Sequence, residues 1–252
     1  TGEANSFSLR QRLAIMEAVK AAGFPLERFM VGTGVCSLDE SVVLAQSAAD
    51  LGYAGALVLP PFVYPGIEPA ALVAYVDALV KRLRPGGLAL YLYHIPQNTG
   101  VPWGVVVVAE LALRHSGLLR GIKDSSGDLS YSRAVVAAAP SLDVFPSSEA
   151  TLCDAHRDGF AGCISATTNL TAADSQYAWS HQGSDDGNKA VQRATAQRAI
   201  LARQALVSSV KAALSVRYRD SGWALSCLPL QPRTEGEIES LAADLRGAGM
   251  DF

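Results

Sequence analysis

The chain has 252 residues, 49% of them hydrophobic and 18% charged, with a formal net charge of −3. That length supports one large α/β domain with a sizeable core, and the composition excludes a disordered chain. Acidic and basic residues are interspersed, which leaves no basic stripe for nucleic acid and no polybasic membrane anchor, and the longest apolar run, 104–113, is too short to span a bilayer and contains Glu110.

The opening, TGEANSFSLRQRLAIMEAVKAAG, reads as a loop and then an amphipathic helix from Ser8 to Ala22, with Ser8 as N-cap and Gly23 as the stop. No signal-peptide pattern precedes it, and a cytoplasmic location is expected. FMVGTGV (29–35) is a short buried strand, followed by a helix from Leu38 to Leu51 that Gly52 ends. The unit then repeats. AGALVLPP (54–61) leads to a helix from Pro69 to Arg84, and LALYLYHIP (88–96) to a helix from Trp103 to Arg114. LLRGIK (118–123) leads to a helix from Tyr131 to Ala139, DVFPSS (143–148) to a helix from Glu149 to Arg157, and AGCISAT (161–167) is the last strand. From Ala172 onward the chain reads as helices, with a polar break at 183–187 and a Pro-rich bend at 228–232.

Strands alternating with helices at this interval predict right-handed βα units on a parallel sheet. The pattern gives six strands; a (β/α)8 barrel needs two more, so a βαβ segment is expected to precede Thr1. A doubly wound sheet tolerates six strands, but no GxGxxG or Walker loop follows any of them. We therefore expect one structural domain, with residues 1–171 as the barrel and 172–252 as the last barrel helix and a C-terminal helical extension. The four cysteines, Cys36, Cys153, Cys163 and Cys227, have neither CxxC pairing nor metal spacing and are expected as reduced thiols, Cys163 within a strand.

Sites on such folds form at the carboxyl ends of strands. The stretch LLRGIKDSSGD (118–128) is a strand that ends on Lys123 and opens into a polar turn. Alternation puts Gly121 and Lys123 on one face. A lysine on an inner face is costly to keep charged, which lowers its pKa and frees its lone pair for attack on a carbonyl; past the strand end it is an ordinary solvated lysine. In LALYLYHIP, Ala89, Tyr91 and Tyr93 share one face and the leucines the other, so Tyr93 points inward near the mouth. Read alone, Tyr93 is a core tyrosine. Ser147, Ser148 and Glu149, and Ser165, Thr167, Thr168 and Asn169, end the later strands and are individually ordinary caps. His94 is expected to be structural, His115, His156 and His181 show no metal spacing, and Glu3 is placed to orient neighbours. Together, an inward lysine beside an inward phenol, ringed by hydroxyls and without metal ligands, is the chemistry of a Schiff-base enzyme: the amine captures a ketone and the phenol carries protons. No metal or cofactor is expected.

Several motifs in the right order resemble the dihydrodipicolinate synthase/N-acetylneuraminate lyase family of pyruvate-dependent class I aldolases. TGEANS resembles the end of the family's G-[ST]-T-G-E loop, and GTG (32–34) and LPPF (59–62) match strands three and four. YHIPQNTG (93–100) resembles Y-N-[IV]-P-x-x-[TS]-G, GIKDSSGD (121–128) resembles G-[IV]-K-D-S-S-G-D, and GCISATTN (162–169) the strand-eight motif. The resemblance implies a (β/α)8 barrel with a C-terminal helical bundle, assembled as a homo-oligomer (dimer or tetramer). It implies that Lys123 forms an imine with pyruvate or another 2-keto acid, that Tyr93 is the acid/base, and that Thr1 holds the substrate carboxylate. Gly121 would keep space beside the lysine, and Ile164 and Ser165 would line the pyruvate end.

Two departures bear on the substrate. Dihydrodipicolinate synthases carry an arginine before the Thr-Gly of the tyrosine motif, where this chain has Asn98, and a tyrosine after the fourth strand, where it has Val63. Without a bidentate guanidinium for a carboxylate, aspartate semialdehyde fits poorly. Neuraminate lyases show G-x-D-E after strand seven; PSSEA (146–150) is partly comparable, with Ser147, Ser148 and Glu149 as candidate hydroxyl contacts. The expected activity is an aldolase, lyase or hydro-lyase acting on a 2-keto-3-deoxy sugar acid or related pyruvate adduct. The alternatives are a 4-hydroxy-tetrahydrodipicolinate synthase and a non-catalytic keto-acid-binding barrel.

Overall fold

The computed structural model describes residues 2–86 and 88–252. They fall into two compact units, one within Phe7–Pro146 and a second formed by residues 2–6 with Ser147–Phe252.

The first unit opens with α1 (Leu9–Ala21), where Ser8 and Gln11 form a reciprocal capping box. Strand β1 (Met30–Gly32) follows, then α2 (Leu38–Leu51), capped by Ser37 and closed by Gly52 at φ 95°, a left-handed position that favours glycine. Strands β2 (Gly55–Val58), β3 (Ala89–His94), β4 (Leu119–Asp124) and β5 (Asp143–Pro146) alternate with α3 (Pro69–Arg82), the single turn α4 (Pro96–Thr99), α5 (Val105–Arg114) and α6 (Leu129–Ala138). The sheet is parallel throughout, in the order β1-β2-β3-β4-β5, each strand pairing with the next. A monotonic order has no point of reversal, so this sheet is not doubly wound.

Leu90, Leu92 and Ile122 point to the helix-covered side and are almost wholly buried, each contributing about 1.5–3 kcal/mol over an exposed position. Helix α5 begins with four consecutive valines, a run with strand propensity. Val107, Val108, Leu111 and Ala112 nevertheless bury one helical face, and α5 packs on α3 and α6. Tertiary burial overrides the local preference here. The helix starts at Val105 rather than Trp103, which lies fully buried just before it.

The second unit is helical: α7 (Ala155–Asp158), α8 (Thr168–Ser180), α9 (Asp185–Leu201), α10 (Leu206–Tyr218) and α11 (Glu235–Gly247), the last with a capping box between Thr234 and Glu237. Leu170, Leu201, Val210, Leu214 and Leu245 form its main core cluster. Glu3 is tied into this unit. Burial opposes its charge, but hydrogen bonds from Lys211 and the Cys227 amide hold its carboxyl below the usual range.

Two expectations are corrected. Residues 161–167 form no strand, so Cys163 is not in one. The hydroxyls there bend the backbone locally: Ser165 Oγ accepts from the Thr167 amide at 3.3 Å and Thr168 Oγ1 donates to Ser165 O at 2.6 Å, while Gly162 sits at φ 141°. The helix expected from Glu149 to Arg157 is a 3-10 turn over Glu149–Cys153 followed by the short α7. Asp154, at φ −118° and ψ 9°, separates the two. No single helix among the described residues is long and apolar enough to cross a membrane.

Candidate active site

Tyr93 on β3 and Lys123 on β4 are register partners in the parallel ladder, and Phe145 on β5 is the next in the same row. Side chains at paired positions of a parallel sheet share a face, so the lysine stands between a phenol and a phenyl ring. Lys123 Nζ lies 4.1 Å from the centroid of the Tyr93 ring, a cation–π distance. Both side chains are partly buried, whereas Arg120 is exposed and Ile122 is fully buried. Arg120 is also the extra residue where the β3–β4 register shifts, since Leu90 pairs with Leu119 and Tyr91 with Gly121.

The row below sets the floor of this arrangement. Tyr91 is flanked by two glycines: a Cβ at Gly55 would lie 2.9 Å from Tyr91 Cε2, and one at Gly121 would lie 2.9 Å from Tyr91 Cδ1 and collide with the Asp143 carbonyl. Gly121 therefore gives its space to the Tyr91 ring and the backbone of β5. Burial, with Asp143 nearby, pushes the Tyr91 phenol up, so it stays neutral.

On the reverse of the same strand ends, His94 and Asp124 are also register partners and are both buried. Asp124 accepts from the Ser126 amide at 2.8 Å and from Ser132 Oγ at 2.6 Å. His94 stacks on Tyr131, ring centroids 4.0 Å apart, and its Nδ1 accepts the Trp103 amide at 3.1 Å. Burial pushes His94 below its ordinary value, against the pull of Asp124 and Asp128. The structural expectation for His94 agrees with this placement. Asp128 is the N-cap of α6, held low by Ser130 and the adjacent amides. Asn98 is exposed in the α4 turn, and Val63 is exposed at φ 78°, in the left-handed region that β-branched residues rarely enter.

In the second unit, Glu149 is fully buried. One oxygen accepts from Thr167 and from Thr171 Oγ1 at 2.8 Å; the other accepts from Ser165 Oγ at 3.0 Å and faces Arg198 Nη1 at 3.3 Å. Arg198 also donates to Ser165 Oγ at 2.8 Å and Thr167 Oγ1 at 3.1 Å. Glu149, expected as a contact for substrate hydroxyls, spends its acceptors on the protein. Ser165 is buried in the same network, and Ile164, Ser147 and Ser148 are partly buried; Ser148 Oγ caps the Ala150 amide at 3.3 Å. Burial with Glu149 nearby pushes the Cys163 thiol up to about 12, so it is inert. Thr1, expected to hold the substrate carboxylate, lies outside the described residues.

Arg198, Thr171 and Phe145 escaped the sequence reading, which placed Tyr91 on the inner face but gave it no role. Arg198 sits in a polar helix with nothing local to distinguish it. The glycines at 55 and 121 did carry a signal, since glycine inside a strand marks a close approach. Among the described residues no cluster of His, Cys, Asp and Glu is placed to hold a metal ion.

The dihydrodipicolinate synthetase family matches residues 1–248. An uncharacterized DapA-like lyase of Chloroflexus aurantiacus is 33% identical over 245 residues, 96% of this chain and 81% of the relative. The dihydrodipicolinate synthase of Agrobacterium tumefaciens superposes with a TM-score of 0.88 at 23% identity, covering 98% of this chain and 84% of its own. A variant of the Sulfolobus solfataricus 2-keto-3-deoxygluconate aldolase gives 0.81 at 20% identity, over 96% and 80%. These likenesses show the fold class, α/β of the (β/α)8-barrel type with a C-terminal helical region, to which the parallel β1–β5 sheet belongs.

Proposed function

Because this chain belongs to the dihydrodipicolinate synthetase family, whose members are lyases and aldolases, we propose that it forms or cleaves a pyruvate adduct through an imine on Lys123. The observation that carries this reading is the side-by-side placement of Tyr93 and Lys123, with Nζ 4.1 Å from the ring centroid. In the reaction, the neutral amine attacks the C2 carbonyl of a 2-keto acid. The carbinolamine loses water to leave a protonated imine, and Tyr93 passes protons to and from the departing oxygen. The imine then accepts the electron pair of the C3–C4 bond as it breaks, or supplies an enamine carbon when that bond forms. The resemblance gives further substrate contacts to Thr1, Ile164 and Ser165.

For the substrate we infer a 2-keto-3-deoxy sugar acid rather than aspartate semialdehyde. Asn98 is exposed and neutral where a dihydrodipicolinate synthase has an arginine, and a carboxamide cannot replace a bidentate guanidinium on a carboxylate. It does offer a donor and an acceptor to a hydroxyl.

The test is borohydride reduction in the presence of pyruvate, followed by peptide mass spectrometry. The reading expects a reduced adduct on Lys123; an unmodified Lys123, or labelling only at Lys20, Lys81, Lys189 or Lys211, overturns it. Pyruvate release from a panel of 2-keto-3-deoxy acids tests the substrate class. Robust turnover of aspartate semialdehyde instead would refute the sugar-acid assignment, and pyruvate binding without any turnover would favour a non-catalytic barrel.

A further inference from the structure

The residues that immediately follow the candidate pair, His94 after Tyr93 and Asp124 after Lys123, are built into one closed network. The Ser125 amide continues the ladder by donating to His94 O at 2.7 Å. The Trp103 amide donates to His94 Nδ1 at 3.1 Å, and Tyr131 Oη donates to Trp103 O at 2.6 Å. The Tyr131 ring, 14° from parallel, lies against the imidazole. Ser132, the next residue of α6, donates to Asp124. The segment 95–103 and the first turn of α6 therefore meet at the imidazole of His94, whose backbone carbonyl holds the end of β4.

A backbone N–H can only donate. Nδ1 of His94 must then be bare and its proton on Nε2, and the ring must be neutral to make this bond at all. The imidazole holds Trp103, and with it the return of the loop that carries Asn98. Its own backbone adjoins Tyr93.

We propose that His94, as a neutral imidazole with a bare Nδ1, is a positioning residue that sets Tyr93 against Lys123 and fixes the loop 95–103. This rests on the imine reading and extends it to a residue that touches neither substrate nor reacting atoms. Placement of reacting groups is steeply rewarded, and a displacement of about 1 Å costs on the order of 100-fold in rate.

Two substitutions of similar polarity separate positioning from bulk. In His94→Asn the carboxamide oxygen stands near the place of Nδ1 and accepts the Trp103 amide. In His94→Gln the polar end lies near the place of Nε2 and leaves that amide without a partner. The readout is the rate at which saturating pyruvate is trapped by borohydride on Lys123, with the thermal midpoint of each variant measured alongside. His94→Asn is expected within about threefold of the unsubstituted protein and His94→Gln at least about tenfold slower. Should His94→Gln fail to fold, Tyr131→Phe carries the test: it keeps the ring stack, loses the bond to Trp103 O and is expected to slow trapping in the same direction. Equal trapping by the Asn and Gln variants, or an unchanged rate in Tyr131→Phe, overturns the inference. Absence of trapping in the unsubstituted protein sinks the imine reading itself, and this inference with it.

Discussion

Gly121 meets Tyr91 across the β3–β4 ladder so closely that a single added carbon would stand 2.9 Å from the ring's Cδ1, and would strike the Asp143 carbonyl on the other side. The carbonyl belongs to backbone, which cannot step aside as a flexible side chain does. Gly121→Ala is expected to destabilise the protein by about 1–3 kcal/mol, the usual cost of overpacking, and to displace Lys123 two residues on. Urea denaturation reads the first effect and pyruvate trapping the second. A variant as stable as the parent would show that β5 gives way easily.

Tyr93 and Lys123 are expected to separate by function. Lys123→Ala should abolish pyruvate trapping. Tyr93→Phe keeps the ring beneath Nζ, and with it the cation–π contact, but removes the proton carrier. It should slow imine trapping and turnover alike by about 10²–10⁴, the range for loss of one general acid/base, while prolonged incubation still labels Lys123. Unchanged rates of both would mean that the phenol serves only as the ring that holds the lysine.

Asn98→Arg restores a guanidinium in the exposed α4 turn. It should raise turnover with aspartate semialdehyde and lower it with a 2-keto-3-deoxy sugar acid, by about tenfold or more for a charge-assisted bidentate pair. Parallel steady-state assays with the two substrates check this. No change in their ratio would place the substrate's far end elsewhere.

Glu149 and Arg198 are expected to be structural. Removing the carboxylate leaves three hydroxyls and a guanidinium that is 26% exposed without their common acceptor. Glu149→Ala should cost about 3 kcal/mol, at the low end of the range for a broken buried pair because solvent reaches Arg198. Glu149→Gln, which keeps an acceptor, should cost less. Chemical denaturation of the two variants orders them.

The pH dependence of stability follows from His94. Burial holds its folded pKa below the ordinary imidazole value of about 6.5, so as pH falls through that value the unfolded chain takes up a proton first. Stability should therefore decline from about pH 6.5 downward until the folded pKa is passed, with no contribution from this group at higher pH. His94→Asn removes the group and should flatten that part of the curve. Thermal midpoints between pH 7.5 and 5 compare the two proteins, in a range above the titration of the carboxylates held low, Glu3 and Asp128.

What the sequence determined by itself was local. Alternation along LALYLYHIP and LLRGIK separates the Tyr93 and Lys123 face from the face of the leucines and Ile122, because a strand repeats every two residues wherever it is placed. Ser8, Ser37 and Gly52 mark helix ends because a cap bonds within its own turn. The tertiary structure decided every question of partnership. Whether 161–167 joins a ladder depends on hydroxyls bonding across a few residues against a distant strand edge. Whether Glu149 faces solvent depends on Arg198, 49 positions away, and whether His94 is free or fixed depends on a ring and an amide from two other segments. A carboxylate or an imidazole is written in the chain, but its charge state and its task are set by whatever folding brings against it.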